Sequence, residues 1–376
     1  MEHQVQTRNS AISNGDYQVR LSDEPLDPEW DSFVSSLPHG HHVQTSLWGQ
    51  VKSTLGYRTM RVTVAENGRI VAGGQFLIRQ LMPFFSIAYM PKGPLYPTWD
   101  PSLVPMILDE LKKVAQTDHF LVFTLQPANK DPEFEACLAD RGFRPSWLEL
   151  APTATILHDL TQDTQEILRQ MKRQTRQKIN RSEREGITTR EGTEADLPTF
   201  YDLYLTTSEK QGFTPYPEEY FARMWRVFSQ QGVISLIIAE YQGTPVSALL
   251  LVGFGSTVCP KILGWSGEHG KRRPNDALFW AAIQWAKSHG YHCFDMEGID
   301  REGAELKLSG QPLPEELRRT PDHFKLGYGG TVTLLPESYY FVPSHLWRWP
   351  YHQVFGLEGR GQAVQRNFEL YRRRFG

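Results

Sequence analysis

Residues 63–75 read TVAENGRIVAGGQ, and residues 237–249 read IIAEYQGTPVSAL. Each stretch contains an apolar run, an Ala-Glu pair, a turn with glycine and a second run that includes small residues. Two apolar runs joined by such a turn are typical of a β-hairpin. The Ala-Glu pairs begin at Ala65 and Ala239, which are 174 residues apart (239 minus 65). We therefore predict that the chain contains the same hairpin twice.

The elements that follow each hairpin recur in the same order. A third apolar run, a break rich in proline or charge, a helix and a buried strand come after both hairpins. The helices begin at Pro101 and Pro274, an offset of 173 residues (274 minus 101). Solenoid repeats are only about 20–50 residues long, so this spacing indicates a duplicated domain.

Helical stretches also precede each hairpin, so both halves share the element order of the GNAT-type N-acyltransferase fold. We predict an α/β protein with two tandem GNAT-like domains related by internal duplication, at 16–160 and 161–337, with an extended cleft at their junction. Residues 1–15 are predicted to be disordered. The aromatic segment 338–376 is predicted to pack back on the first domain.

Composition narrows the class of protein. A formal net charge of −3 excludes a polycationic nucleic-acid coat, although a local basic groove is compatible with it. The three cysteines, Cys137, Cys259 and Cys293, lack the spacing of a metal or redox site, and so few thiols suit a reducing compartment. No leader peptide and no run of about 18 apolar residues is recognisable, so a cytoplasmic protein without a transmembrane segment is expected.

Five segments resemble, in order, the conserved blocks of the Fem family of non-ribosomal peptidyltransferases. They are QTSLWGQVKSTLGY (44–57), YMPKGPLY (89–96), KQGFTPYPEEYFARMW (210–225), PNDALFWAAIQWAKSHGYHCFDMEGI (274–299) and HFKLGYGG (323–330). The resemblance spans roughly residues 30–335. It is to the shorter members, because no long helical hairpin interrupts the second half.

The resemblance implies an activity and its substrates. Family members transfer an aminoacyl group from aminoacyl-tRNA to an amine of a muramyl-peptide precursor, without ATP, a metal or another cofactor. This chain is thus expected to use aminoacyl-tRNA and a peptide or muramyl-peptide acceptor, with peripheral contact to a membrane-bound precursor where the acceptor is lipid-linked. In the family, lysines at the positions of Lys325 and Lys52 contact the reacting ester and the precursor's phosphates, and Asp295 matches a family acid.

The residues themselves support amide formation by direct attack. Neither a G-x-S-x-G elbow nor a cysteine beside a paired histidine is present, so we expect the acceptor amine to attack the donor carbonyl directly. Lys325, between an aromatic residue and a glycine-rich turn, is our candidate for the cation that stabilises the developing oxyanion. The alternative for Lys325, as for Lys52 and Lys92, is an exposed surface charge.

Further candidates lie near strand ends and loops. Asp295 and Glu297 alternate to one side of a strand, where a carboxylate could accept the proton of the attacking ammonium, or could instead cap the next loop or anchor a basic side chain. Lys92 occupies the predicted phosphate loop of the first half. The basic loop with Arg272 and Arg273 precedes a helix N-terminus, a natural anion site.

Two positions depart from the Fem pattern. Gln126 stands where the muramyl-peptide enzymes tend to carry an acid, and Tyr216 stands where they place an arginine for phosphate. A tyrosine cannot offer a charged fork to a diphosphate, so the acceptor is expected to differ or the activity to be lost.

Two other functions stay open. The first is an acyl-CoA-dependent N-acyltransferase acting on a secondary metabolite or an envelope sugar, although neither KGPLYPTWDP nor SGEHGKRRPN contains the R/Q-x-x-G-x-G/A pyrophosphate loop of such enzymes. The second is a non-catalytic module that binds peptide or RNA, for which the departures at Gln126 and Tyr216 are the reason.

Overall fold

The computed structural model describes residues 10–14, 17–82, 85–146, 151–317 and 320–355. Their contacts divide the chain into two compact units. The first comprises the residues up to 151 together with the segment that begins at 336, and the second comprises residues 152–335. Each unit has its own sheet and its own apolar core.

The sheet of the first unit contains eight strands among the described residues. Their order across the sheet is β1-β2-β3-β4-β5-β6-β15-β7. The strands are β1 (Ser10–Asn14), β2 (Tyr17–Ser22), β3 (Tyr57–Glu66), β4 (Arg69–Met82), β5 (Phe85–Met90), β6 (Phe120–Leu125), β7 (Arg144–Pro145) and β15 (Tyr339–Phe341). β3, β4 and β5 form an antiparallel meander, and β6 runs parallel to β5.

Helices cover this first sheet. They are α1 (Pro28–Ser36), α2 (Ser46–Ser53), α3 (Leu103–Thr117), α4 (Pro132–Asp140) and α12 (His345–Phe355). Asp27 begins α1 and Asp131 begins α4, each by accepting a hydrogen bond from a first-turn backbone N–H. The apolar face of α3 packs on Phe76, Phe123 and neighbouring strand residues to form the core.

The sheet of the second unit contains seven strands within the described ranges, in the order β14-β8-β13-β12-β11-β10-β9. They are β8 (Ala154–Asp159), β9 (Ile187–Glu191), β10 (Ile234–Tyr241), β11 (Thr244–Phe254), β12 (Thr257–Trp265), β13 (Cys293–Asp295) and β14 (Thr331–Leu334). β10, β11 and β12 form an antiparallel meander, and β13 runs parallel to β12, as in the first unit.

The helices of the second unit are α5 (Thr164–Gln170), α6 (Arg173–Arg184), α7 (Leu197–Gln211), α8 (Glu218–Ser229), α9 (Pro274–Ser288), α10 (Arg301–Leu308) and α11 (Pro321–Lys325). α9 begins at Pro274, where the missing N–H of proline costs no hydrogen bond. Its Leu278, Ala282 and Ile283 pack into the core with Phe294 of β13.

The repeated hairpin is present in both units. In the first it is β3–β4 and in the second β10–β11, with a register shift at Val64/Ala65 in one and at Ala239/Glu240 in the other. The Ala-Glu pair thus lies at an irregularity of the ladder in both copies. The prediction of an α/β protein with two similar halves is confirmed.

Strand pairing differs from the predicted divisions at two places. Residues 154–159 were assigned to a first domain ending at 160, but β8 pairs with β13 and β14 of the second sheet. Ser10–Asn14 was assigned to a disordered N-terminus, but it forms β1 against β2. Residues 1–9 and 356–376 lie outside the described residues, and β15 of the C-terminal segment pairs with β6 and β7 of the first sheet.

Candidate active site

The carboxyl end of β13 leads into a tight turn. Asp295 Oδ1 accepts a hydrogen bond from the backbone N–H of Glu297, 2.8 Å away, and another from the Thr155 hydroxyl. Glu297 and Gly298 both have positive φ, 47° and 76°, so the chain reverses at once. The strand therefore ends at Asp295, because the Asp295 carboxylate draws the following backbone out of the extended conformation.

Lys325 is held against this turn. Its Nζ donates to the carbonyl oxygens of Glu297 and Gly298, at 2.6 Å and 2.7 Å. Burial lowers the pKa of Lys325, while the carboxylates of Asp322, Glu297 and Asp295 act in the opposite direction. The structure therefore brings together three of the predicted residues: Lys325, Asp295 and Glu297.

Sequence reasoning missed Lys261. This lysine lies on β12, next to β13, and its Nζ forms an ion pair with Glu297 Oε1. Burial by itself would lower the pKa of Lys261, but the Glu297 carboxylate holds it above its ordinary value. The signal was a lysine in a strand rich in apolar residues, because a buried charge requires a partner.

An aromatic pair lies near the same carboxylate. The Tyr216 ring stacks on the buried Tyr220 ring with their centroids 4.5 Å apart, and the Tyr216 backbone N–H donates to the hydroxyl of Tyr204. Burial raises the pKa of Tyr220, and the charge of Glu297 adds to the increase. Tyr216 is thus placed in an aromatic wall and presents no cation.

The structure gives Arg272 and Arg273 a different set of contacts. Arg272 pairs with the Glu185 carboxylate at 2.9 Å, donates to the Glu185 carbonyl and lies 4.2 Å from the centre of the Tyr241 ring. Arg273 has a φ of 63° and precedes α9, where its charge lowers the otherwise raised pKa of Asp276. The Arg272 side chain is therefore bound to Glu185, the residue that follows α6.

The predicted residues of the first unit lie on two loops and a helix. Lys52 Nζ lies 5.7 Å from the centre of the Trp48 ring and 5.3 Å from that of Tyr57, so its charge contacts aromatic faces. Lys92 has a φ of 53° in the loop after β5. Gln126 is fully buried and its Nε2 donates to the Pro336 carbonyl at 3.0 Å, so its side chain is not presented to solvent.

Two negative findings apply to the described residues. No cluster of three or more His, Cys, Asp or Glu side chains in these ranges is arranged to hold a metal ion. Within the same ranges, no helix has the length and apolar character needed to cross a bilayer.

Two family models and several curated relatives match parts of the chain. The FemAB family matches residues 21–136, and the acetyltransferase (GNAT) domain matches residues 169–305. The chain is 26% identical over 304 residues to the UDP-N-acetylmuramoylpentapeptide-lysine N(6)-alanyltransferase of Weissella viridescens, covering 77% of this chain and 89% of that enzyme. The predicted resemblance to the Fem family is therefore confirmed.

A second relative matches over a shorter stretch of the sequence. The Lipid II:glycine glycyltransferase of Staphylococcus haemolyticus (strain JCSC1435) is 24% identical over 229 residues, which cover 58% of this chain and 55% of that protein. The chain thus spans about half the length of the glycyltransferases that it matches. By name the two relatives are an alanyltransferase and a glycyltransferase, so the predicted enzyme class, an aminoacyltransferase or N-acyltransferase, is confirmed.

Solved structures confirm the fold. The crystal structure of FemX has a TM-score of 0.73 at 17% identity, covering 87% of this chain and 98% of that chain. A tandem GNAT protein from the clavulanic acid biosynthesis pathway has a TM-score of 0.52 at 11% identity, covering 87% and 99%. At these identities the likeness concerns the fold alone, and it agrees with two tandem GNAT-like domains.

Proposed function

We propose that this protein transfers an aminoacyl group from aminoacyl-tRNA to an amine of a peptidoglycan precursor or a similar peptide. The observation that carries the proposal is the position of Lys325, an ammonium held by two backbone carbonyls at the carboxyl end of β13. The naming of the relatives as alanyl- and glycyltransferases supports the reaction class.

The reaction requires no covalent enzyme intermediate. The neutral amine attacks the ester carbonyl carbon, a C–N bond forms, and the bond from that carbon to the ribose oxygen of the tRNA breaks. The proton lost by the attacking nitrogen ends on the departing ribose oxygen. Charge develops on the carbonyl oxygen in the transition state, where a preorganised cation is most effective.

Lys325 has the hydrogen-bonding capacity for this role. An ammonium has three N–H donors, and two of them point at Glu297 and Gly298. The third can be directed at the oxyanion while the other two fix the position of the nitrogen. Asp295, which holds the turn through the Glu297 N–H, is then a positioning residue for Lys325.

The acceptor is the less constrained substrate. Tyr216 and Gln126 replace the arginine and the acid that the family resemblance implies, and one is stacked on Tyr220 while the other is buried. An acceptor that presents a peptide amine without relying on a diphosphate contact at Tyr216 is compatible with both. We therefore infer that this protein recognises the acceptor more through its peptide part than through its phosphate part.

A membrane-bound precursor is supported by α12. Leu346, Trp347 and Trp349 of this helix are 87%, 51% and 70% exposed. From residue 345 to the end, the chain has six arginines and two glutamates, a net charge of +4. Exposed tryptophans in a segment whose sequence carries excess positive charge favour peripheral contact with an anionic lipid surface.

The test is a transfer assay with defined donors and acceptors. The full chain is incubated with a mixture of radiolabelled aminoacyl-tRNAs and either a nucleotide-linked muramyl pentapeptide or its lipid-linked form, and the labelled peptide product is isolated. We expect product with at least one aminoacyl-tRNA. Transfer from acetyl-CoA to an amine, without transfer from any aminoacyl-tRNA, would overturn the proposal and favour the acyl-CoA alternative.

A further inference from the structure

A cavity of about 450 Å³ opens in the second unit, among the residues around β8 and β14. Its size lies within the range of small-ligand sites, about 300–1,000 Å³. Leu157 on its wall pairs in register with both Asp295 of β13 and Thr331 of β14. Leu326, which directly follows Lys325, also lines it, so the cavity adjoins the candidate active site without containing its charged residues.

Two lysines from different elements line this cavity. Lys172 directly precedes α6, and Lys307 lies in the last turn of α10. Neither ammonium has a hydrogen bond or ion pair with another side chain in the part of the chain that the structure describes. Burial lowers the pKa of Lys172 and repulsion from Lys307 lowers it further. Both lysines are exposed residues, so an anion from solvent can reach the two ammonium groups where they line the cavity.

The acidic group on the cavity wall is already hydrogen-bonded within its own turn. Asp159 lines the cavity, but its carboxylate accepts hydrogen bonds from the Thr161 backbone N–H, the Thr161 hydroxyl and the Gln162 side-chain amide. The Asp159 carboxylate oxygens are therefore hydrogen-bonded to residues 161 and 162 of the turn that follows the strand. The Lys172 backbone N–H donates to the Gly327 carbonyl at 2.9 Å, which fixes the segment that carries the lysine.

Two glycines give the cavity a wall of bare backbone. Gly329 and Gly330 have φ of 77° and 78°, where other residues are strained. A Cβ on Gly329 would lie 2.3 Å from the Gln170 carbonyl oxygen, and a Cβ on Gly330 would lie 2.8 Å from that of Leu157. Only glycine fits at these two positions, and a ligand can approach the main chain there closely.

We propose that this cavity binds a phosphate group, held between the ammonium groups of Lys172 and Lys307 against the Gly329-Gly330 backbone. Phosphate is the anion that two converging lysines fit, since it spreads negative charge over several oxygens. Both substrates of the proposed reaction carry phosphate, the tRNA along its backbone and the precursor in its diphosphate. Binding by itself does not depend on turnover, so failure of the proposed function leaves this inference standing.

The first experiment uses inorganic pyrophosphate as the probe, with the full chain in isothermal titration calorimetry at low ionic strength. We expect wild type to bind and Lys172→Gln and Lys307→Gln each to weaken binding at least about tenfold. Lys130→Gln, an exposed lysine of the first unit, is the matched control and should bind like wild type. Thermal melts of each variant verify folding.

A second experiment separates the two sources of phosphate. A tRNA acceptor-stem minihelix and a nucleotide-diphosphate sugar are titrated into the same variants, and the apparent affinity of the minihelix is followed against salt. Loss of minihelix affinity with a shallower salt dependence assigns the cavity to RNA, and loss of sugar-nucleotide affinity assigns it to the precursor. Either result supports the proposal. Absence of pyrophosphate binding to wild type, or equal binding by all variants, overturns it.

Discussion

Lys325 Nζ lies 2.6 Å from the carbonyl oxygen of Glu297, whose carboxylate is paired with Lys261. One residue therefore holds two lysines, one through its backbone and one through its side chain. The side-chain pair fixes the turn, and the turn fixes the ammonium that we assign to catalysis. Because Lys325 binds the backbone of Glu297 and Lys261 binds its side chain, the two lysines lead to separate predictions.

Replacing Lys325 by alanine is expected to leave folding intact and to lower kcat by about 100-fold or more, the usual loss for one oxyanion-stabilising donor. The control is Lys287→Ala. Lys287 Nζ also donates to two backbone carbonyls, those of Leu160 and Gln162, so its loss removes a comparable structural contact. Steady-state kinetics of both variants provide the measurement. Near-wild-type turnover by Lys325→Ala, or equal losses in the two variants, would contradict the assignment.

Replacing Lys261 by methionine alone is expected to destabilise the protein on the order of 3 kcal/mol, because it leaves the Glu297 carboxylate without its cation in a largely buried place. The double variant Lys261→Met with Glu297→Gln should recover most of that loss. Urea unfolding of the two single variants and the double variant measures the coupling. Strictly additive effects would show that the two side chains do not stabilise each other.

The fold was largely predictable because the hairpin and the elements after it occur twice in the sequence, 174 residues apart (239 minus 65). The second unit contains the antiparallel meander β10, β11 and β12, as the repeated hairpin and the apolar run after it predicted. Prediction failed where pairing is decided by distant residues. Nothing local to residues 154–159 indicates that they pair with β13 and β14 instead of the preceding sheet.

The candidate site was predictable in part for the same reason. Asp295, Glu297 and Lys325 could be named from a strand end, a glycine-rich turn and the resemblance to the Fem family, and their catalytic role stays a prediction. Lys261 was missed because its partner is 36 residues away (297 minus 261) and the ion pair depends on the parallel pairing of β12 with β13. Long-range pairing of this kind leaves no periodic trace in the sequence.

Asp276 is predicted to make stability depend on pH. It is buried at the start of α9, and desolvation raises its pKa from 3.8 to about 6, although Lys178 and Arg273 act in the opposite direction. The folded state therefore binds the proton more tightly than the unfolded state. Its contribution is fully present below pH 3.8 and is lost as the pH rises through 6.

The measurement is urea unfolding of wild type and Asp276→Asn between pH 4 and pH 7. Because about two pKa units correspond to roughly 3 kcal/mol, the stability of wild type relative to the variant should fall by about that amount across the range. Taking the difference between the two proteins cancels the titration of other groups, such as the buried His158. A difference that stays constant with pH would contradict the prediction.

The exposed face of α12 is predicted to bind anionic lipid. Arg348 of this helix donates to the Val342 carbonyl and lies over the Phe341 ring, so it anchors the helix to its own unit, while Trp347 and Trp349 are exposed to solvent. Each indole that enters a lipid interface contributes on the order of 2 kcal/mol. The double variant Trp347→Ser with Trp349→Ser should therefore bind phosphatidylglycerol vesicles at least about tenfold more weakly in a sedimentation assay.

Leu308→Ser, which removes an exposed apolar side chain from the second unit, is the control for this vesicle assay and should bind like wild type. Because the altered side chains are exposed, thermal stability should change little in either variant. Equal vesicle binding by wild type and the double variant would show that α12 does not face the membrane.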